Sequence, residues 1–288
     1  MSGLRDVEAK EFIKLMDSLC GRHSRWEIWK DAMWLFATTI SNAVDPRHRE
    51  KREKQYLDIA KHYSKAEMDT FAEMFAQLVL ILERKRGYCD FLGELYMMLG
   101  LGNDAGGQFF TPYAVCRMMA KVSLPDVNEK VEQQGWLSVN DPACGAGATL
   151  IAAADILYND YKLNFQTSVM FTGQDIDYTT GLMCYIQLSL CGCAGYVRIG
   201  NTLTDPMTGH VLFGDGGENT WYTPMYFSTP WEMRRMAEKM KRVFAMTEPA
   251  INPEPEAQLE PVELEPVVIQ ASGKKARRKP EGQLMFEF

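Results

Sequence analysis

Apolar side chains recur at i, i+3 and i+4 over residues 11–19, 26–40, 65–82 and 89–99, the spacing that lines one face of an α-helix. The first hundred residues are therefore expected to be helical. Ser64, followed three residues later by Glu67, fits a helix N-cap with its reciprocal acid. Asp45-Pro46 ends the second helix, because the residue before a proline is driven out of the α region, and residues 85–87 close a later one. Trp26, Trp29, Trp34 and Phe36 read as core and not as a ligand cage. Residues 47–54 mix Arg and Lys with Glu, which suits a solvated helix face better than a phosphate-binding stripe.

The pattern changes after residue 135. A short apolar strand over 136–140 ends in Asp141-Pro142, and an alanine-rich helix follows over about 148–159. A second strand over 169–173 runs into Gln174-Asp175-Ile176-Asp177, with a helix over about 180–190. A third strand over 196–199 ends in Gly200-Asn201-Thr202-Leu203. Strand–helix–strand–helix–strand at this spacing predicts an α/β fold with a parallel sheet and right-handed crossovers. From about 248 to 282, prolines alternate with Glu and aromatics are few, the composition of a disordered tether. Three regions are expected: a helical one over 1–100, an α/β one over 101–246 and a disordered tail over 247–288.

Composition narrows the class. The chain has 288 residues, 46% hydrophobic and 24% charged, so it can bury a core as a soluble protein. Its apolar runs fall short of a membrane span. The first ten residues carry both charges and no apolar stretch, so neither membrane insertion nor a signal peptide is expected. Seven scattered cysteines fit free thiols in a reducing cytoplasm. Cys191 and Cys193 form a C-x-C pair with nothing to complete a zinc site, and no metal is expected. A net charge of −7 argues against a surface that attracts nucleic acid everywhere, although much of the acid sits in the tail.

The candidate chemistry lies at the strand ends. Asp141-Pro142-Ala143-Cys144-Gly145-Ala146-Gly147-Ala148 sits between a strand and a helix, where parallel sheets bind ligands. Glycine lets the backbone approach a ligand closely, and the following helix offers free N–H groups. The pattern D-P-x-C-G-x-G resembles the first S-adenosylmethionine (SAM) motif of adenine-N6 DNA methyltransferases, especially the methylation subunit of type I restriction-modification systems. Gly107-Gln108-Phe109-Phe110-Thr111-Pro112 resembles that family's G-Q-[FY]-[FY]-T-P segment, Gln174-Asp175-Ile176-Asp177 its second motif, and Gly200-Asn201-Thr202-Leu203 its G-D/N-x-L. The resemblance covers about residues 90–205. It implies a Rossmann-like SAM-dependent methyltransferase sheet with SAM as cofactor, held by Phe110, Thr111, Pro112, Asp141, Ala143, Gly145, Gly147, Asp175, Ile176 and Asn201. Asp175 is the expected acceptor for both ribose hydroxyls, with Asp177 as the fallback. The resemblance further implies DNA as substrate and a separate specificity subunit as partner.

The same family positions the adenine amine with [N/D/S]-P-P-[Y/F/W], and no N-P-P-F or N-P-P-Y occurs in this chain. The nearest outline is Ser228-Thr229-Pro230-Trp231, which makes Ser228, Pro230 and Trp231 the catalytic candidates. The alternative is that residues 221–231 form an aromatic cap on the sheet edge. Three or four strands are legible where the family has about seven, so the sheet is expected to be truncated. The chain closes on Gln283-Leu284-Met285-Phe286-Glu287-Phe288, which resembles a bacterial sliding-clamp peptide with Gln283, Leu284, Phe286 and Phe288 as contacts. Three readings therefore stand: a SAM-dependent adenine-N6 DNA methyltransferase or its methylation subunit, a non-catalytic SAM-fold protein recruited to DNA through the clamp peptide, and a clamp-associated scaffold whose SAM pocket is vestigial.

Overall fold

The computed structural model describes residues 3–84, 88–102 and 110–247, and the side chains of 9–83, 88–102 and 110–244. Five helices open the chain: α1 (Gly3–Ser18), α2 (Arg25–Val44), α3 (Arg49–Ala60), α4 (Lys65–Arg84) and α5 (Phe91–Met98). Two begin with reciprocal caps. Glu67 N–H donates to Ser64 Oγ at 3.3 Å while Ser64 N–H donates to the Glu67 carboxylate at 2.6 Å, and Ser24 and Glu27 repeat the arrangement at α2. Each satisfies two amides that a helix start leaves unpaired.

Trp29 and Phe36 are core residues, as the periodicity predicts. Trp34 is partly buried and stacks on Tyr178 with ring centres 5.0 Å apart. Trp26 departs from the expectation. It lies in the first turn of α2, remains exposed, and touches the fold through its ring edge against Tyr96. Helix α3 turns most of its charge to solvent, but Arg52 is buried.

Helices α6 (Tyr113–Ser123) and α7 (Val127–Gln134) lead into the sheet. The order is then β1 (Leu137–Asp141), α8 (Ala148–Asn159), α9 (Phe165–Ser168), β2 (Val169–Asp175), α10 (Tyr178–Leu190), β3 (Ala194–Ile199) and β4 (Thr220–Tyr222). A 3-10 turn over Pro224–Phe227 precedes the last helix, α11 (Thr229–Thr247). The spatial order is β1-β2-β3-β4, with the first three strands parallel and β4 antiparallel to β3. The α/β class expected from alternating strands and helices is the one observed. β4 makes the sheet mixed, which the short run Thr220-Trp221-Tyr222 did not announce.

Strand β2 is buried on both faces apart from its last residue, as a central parallel strand should be. Its alternation sends Phe171 into the larger core shared with the helices and Met170 into a second cluster containing Tyr196, Leu212, Tyr222, Tyr226 and Trp231. All seven cysteines are free thiols, and Cys20 is exposed. Among the described residues no helix is long and apolar enough to cross a membrane. The chain divides into two units, Met1–Ala245 and Met246–Phe288. Residues 85–87, Gly107, Gln108, Phe109, and the whole of 248–288 with Gln283, Leu284, Phe286 and Phe288 lie outside the described residues.

Candidate functional site

The turn after β1 is fixed by its own acid. Ala143 N–H donates to Asp141 Oδ1 at 3.0 Å, and the Thr149 hydroxyl donates to Asp141 Oδ2. The chain then crosses to β2, where Cys144 N–H donates to the Gln174 carbonyl at 3.0 Å and Gly145 N–H to Asp175 Oδ2 at 2.8 Å. Gly147, at φ +96°, starts α8 in a left-handed conformation, and a Cβ there would meet Cys184 Sγ at 2.9 Å. Only glycine fits that combination of backbone angle and space.

Beside this turn lies a cavity of about 280 Å³ at the carboxyl ends of β1 and β2. Phe110, Thr111, Asp141, Ala143, Gly145, Asp175 and Ile176 line it, so most of the expected cofactor residues converge there. Pro112, Gly147 and Asn201 do not line it. Pro112 is the N-cap of α6 and Gly147 that of α8. Asn201 Oδ1 accepts from Leu203 N–H at 2.9 Å and holds its own turn. That turn is tied to the site through Thr202, whose hydroxyl donates to the Pro142 carbonyl at 2.5 Å.

Of the two acids after β2, Asp177 is the N-cap of α10, accepting from Thr180 N–H at 2.8 Å, whereas Asp175 faces the cavity. Asp175 already receives three donors: Gly145 N–H, Asp177 N–H at 2.9 Å and the Thr180 hydroxyl at 3.2 Å. A carboxylate offers about four lone-pair sites, so these donors leave Asp175 roughly one acceptor site facing the cavity.

Asp90 also lines the cavity. It caps α5 by accepting from Gly93 N–H at 2.9 Å, and it accepts from Gln187 Nε2 at 2.8 Å. The same Gln187 nitrogen donates to the Ala146 carbonyl at 2.9 Å, and its oxygen accepts from Leu92 N–H at 3.0 Å. This chain of bonds locks α5, α10 and the glycine turn together. Burial raises the Asp90 carboxyl above its ordinary 3.8, against the two hydrogen bonds that lower it. Burial likewise pushes the Cys116 thiol, another lining group, up to about 11. The sequence reading did not single out Asp90; an Asp directly before the apolar helical run that starts at Phe91 is the signal that could have marked the cap. The partnership with Gln187, 97 residues away, carried no sequence signal.

The three catalytic candidates lie elsewhere. Ser228 Oγ donates to the Met225 carbonyl at 2.7 Å. Pro230 stands in the first turn of α11. Trp231 is fully buried in the second core cluster, donating through Nε1 to the Gln166 carbonyl at 2.7 Å. None lines the cavity. Ser-Thr-Pro is a helix start, with proline tolerated where no amide is needed. Among the described residues no group of three His, Cys, Asp or Glu could hold a metal ion.

A sequence model described as N-6 DNA methylase matches residues 90–285, more than half of the chain. The chain belongs to the N-6 DNA methylase family. No curated protein matches it. Among solved structures the chain is similar to the methyltransferase subunit of a type I restriction-modification system from Streptococcus thermophilus, with 21% identity over 56% of this chain and 34% of that one and a TM-score of 0.37. It is also similar to a Listeria monocytogenes protein described as a class I S-adenosylmethionine-dependent methyltransferase, with 15% identity over 72% and 57% of the two chains and a TM-score of 0.38. A third is a Vibrio vulnificus protein described as a modification subunit of a type I restriction enzyme, with 24% identity over 55% and 28% and a TM-score of 0.27. The chain thus spans between about a quarter and three-fifths of the length of these structures.

Proposed function

We propose that this chain holds S-adenosylmethionine in the cavity at the ends of β1 and β2 and supplies the methyl-donor half of an adenine-N6 DNA methyltransferase. DNA is its substrate and a specificity subunit its partner. The observation that carries this is the convergence of Asp141, Asp175 and the Gly145 turn on one cavity. When bound, the cofactor supplies an activated methyl group on a positively charged sulfur. The residues present suit such a group. Asp175 keeps an acceptor site for a ribose hydroxyl, exposed Ile176 offers an apolar face to a purine, and Asp141 and Asp175 place carboxylates near a cation. The turn presents glycine backbone where a side chain would crowd the ligand.

Isothermal titration of the full chain with S-adenosylmethionine tests the pocket. Asp175→Asn retains the shape and removes the charge, and it should weaken binding by about tenfold or more, the usual worth of a charged hydrogen bond. Unchanged affinity would remove Asp175, and with it this cavity, from the reading. Transfer of labelled methyl from the cofactor to DNA, with the specificity subunit co-expressed, tests the reaction.

A second reading is binding without transfer. The buried indole of Trp231 favours it, because a fully buried ring offers no face to an adenine drawn out of the stack. Cofactor binding with no transfer under any pairing of subunits would select it.

A further inference from the structure

A second and larger cleft, about 460 Å³, lies against β4 and the first turns of α11. Its wall is aromatic: Phe213, Tyr222, Tyr226 and Phe227. Three cations surround it, namely Arg47 and Lys239 at the exposed mouth and half-buried Arg235. Arg235 Nη1 donates to the Tyr226 carbonyl at 2.8 Å, and its guanidinium sits 4.0 Å over the Tyr226 ring. Among the described residues no carboxylate reaches ion-pair distance of Arg47, Arg235 or Lys239.

The acids of the cleft are mostly committed elsewhere. Asp45 lies 3.2 Å from Arg52 Nη1 and 2.7 Å from His48 Nδ1. Asp215 is paired with Arg198 Nη1 at 2.8 Å and accepts from the Thr220 hydroxyl. Glu232, three residues before Arg235 on α11, is the remaining acid of the lining, and its charge acts on Arg235 without reaching ion-pair distance. A partly buried guanidinium without a counter-ion is costly unless an anion completes it. Burial lowers the Arg235 guanidinium from its ordinary value, outweighing the opposing charge of Glu232.

We propose that this cleft binds a nucleotide, with its phosphate between Arg47, Arg235 and Lys239 and its base against the aromatic wall. The cleft is of the size that small ligands occupy, and arginine is suited both to phosphate and to aromatic faces. Two sources share this chemistry: a free nucleotide, and a nucleotide within a DNA strand. The site is separate from the cofactor cavity, since no lining residue is common to the two.

The probes are thymidine monophosphate, thymidine, inorganic phosphate and a short single-stranded oligothymidylate, because none carries the adenine that the cofactor cavity is suited to. Each is titrated calorimetrically into the full chain saturated with S-adenosylmethionine, and again without it. Thymidine monophosphate should bind in both cases, thymidine more weakly, and Arg47→Ala or Lys239→Ala should each weaken binding by about threefold to tenfold. Arg235→Lys keeps the charge but loses the planar fork, and should weaken binding of thymidine monophosphate more than that of thymidine. Oligothymidylate binding without mononucleotide binding, lost in the same variants, would assign the strand as source and still support the site. Three results would overturn it: no binding of either thymidylate at millimolar concentration, equal affinity in all three variants, or full displacement by S-adenosylmethionine.

Discussion

At the scale of single residues, Asp90 shows what a local signal contains and what it omits. Its place before Phe91 and three residues ahead of Gly93 marks a helix cap, and the structure uses it so. Its burial to 3% exposure and its bond to Gln187 depend on how α10 packs, which no local pattern encodes. Because burial raises its folded-state value above the ordinary 3.8, the folded protein holds that proton more tightly than the unfolded chain does. Its contribution to stability is therefore present at low pH and is lost as pH rises from about 3.8 through the raised value. Asn at this position keeps the acceptor and cannot ionise. The melting temperature of the wild type minus that of Asp90→Asn should fall as pH rises across that window. A difference flat with pH would show that the carboxyl is not held in its neutral form. By contrast Asp141, Gly145 and Asp175 were legible because their spacing is local and the strand ends around them are well marked.

At the scale of elements, Arg52 joins three parts of the fold. It stands on α3, hydrogen-bonds Ser41 and Asp45 at the end of α2, donates through Nη2 to the Thr220 carbonyl at 2.9 Å, and lies 3.8 Å over the Trp221 ring of β4. The sequence shows a charged helix there, correctly for its neighbours. It cannot mark which arginine turns inward, since the partner in β4 is 168 residues away. For the same reason β4 itself was read only as part of an aromatic cap. Its three residues are too few to show a period, and pairing with β3 and the cation above Trp221 make it a strand. Removing one member of a buried pair leaves the other charged and unsolvated. Asp45→Ala should thus cost about 3–5 kcal/mol in chemical denaturation. Replacing both residues, Asp45→Leu with Arg52→Met, should cost much less. If the double variant is as unstable as the single one, the charge pairing is not what matters and the loss is one of packing.

At the scale of the whole molecule, the sheet runs from β1 to β4 without reversing order. In open α/β sheets the ligand crevice forms where strand order reverses, between two strands whose helices leave on opposite faces. Here β1, whose carboxyl end carries the cavity proposed for the cofactor, has β2 on one side and no strand among the described residues on the other. Among the described residues the structure therefore provides one wall of such a crevice. The two clefts belong to opposite ends of this sheet, since β1 and β4 stand three strand spacings, roughly 14 Å, apart. Hydrogen exchange in the presence of S-adenosylmethionine separates them. Amides over residues 141–149 and 175–180 should gain protection, because Gly145 N–H and its neighbours already bridge the ends of β1 and β2 and a ligand seated there stops that turn from opening. Amides over 213–222 and at the start of α11 should not change. Protection spread evenly across the sheet would mean that the cofactor stabilises the fold as a whole and acts on both clefts. Protection confined to the β4 end would move the cofactor to the aromatic cleft and reverse the assignment of the two sites.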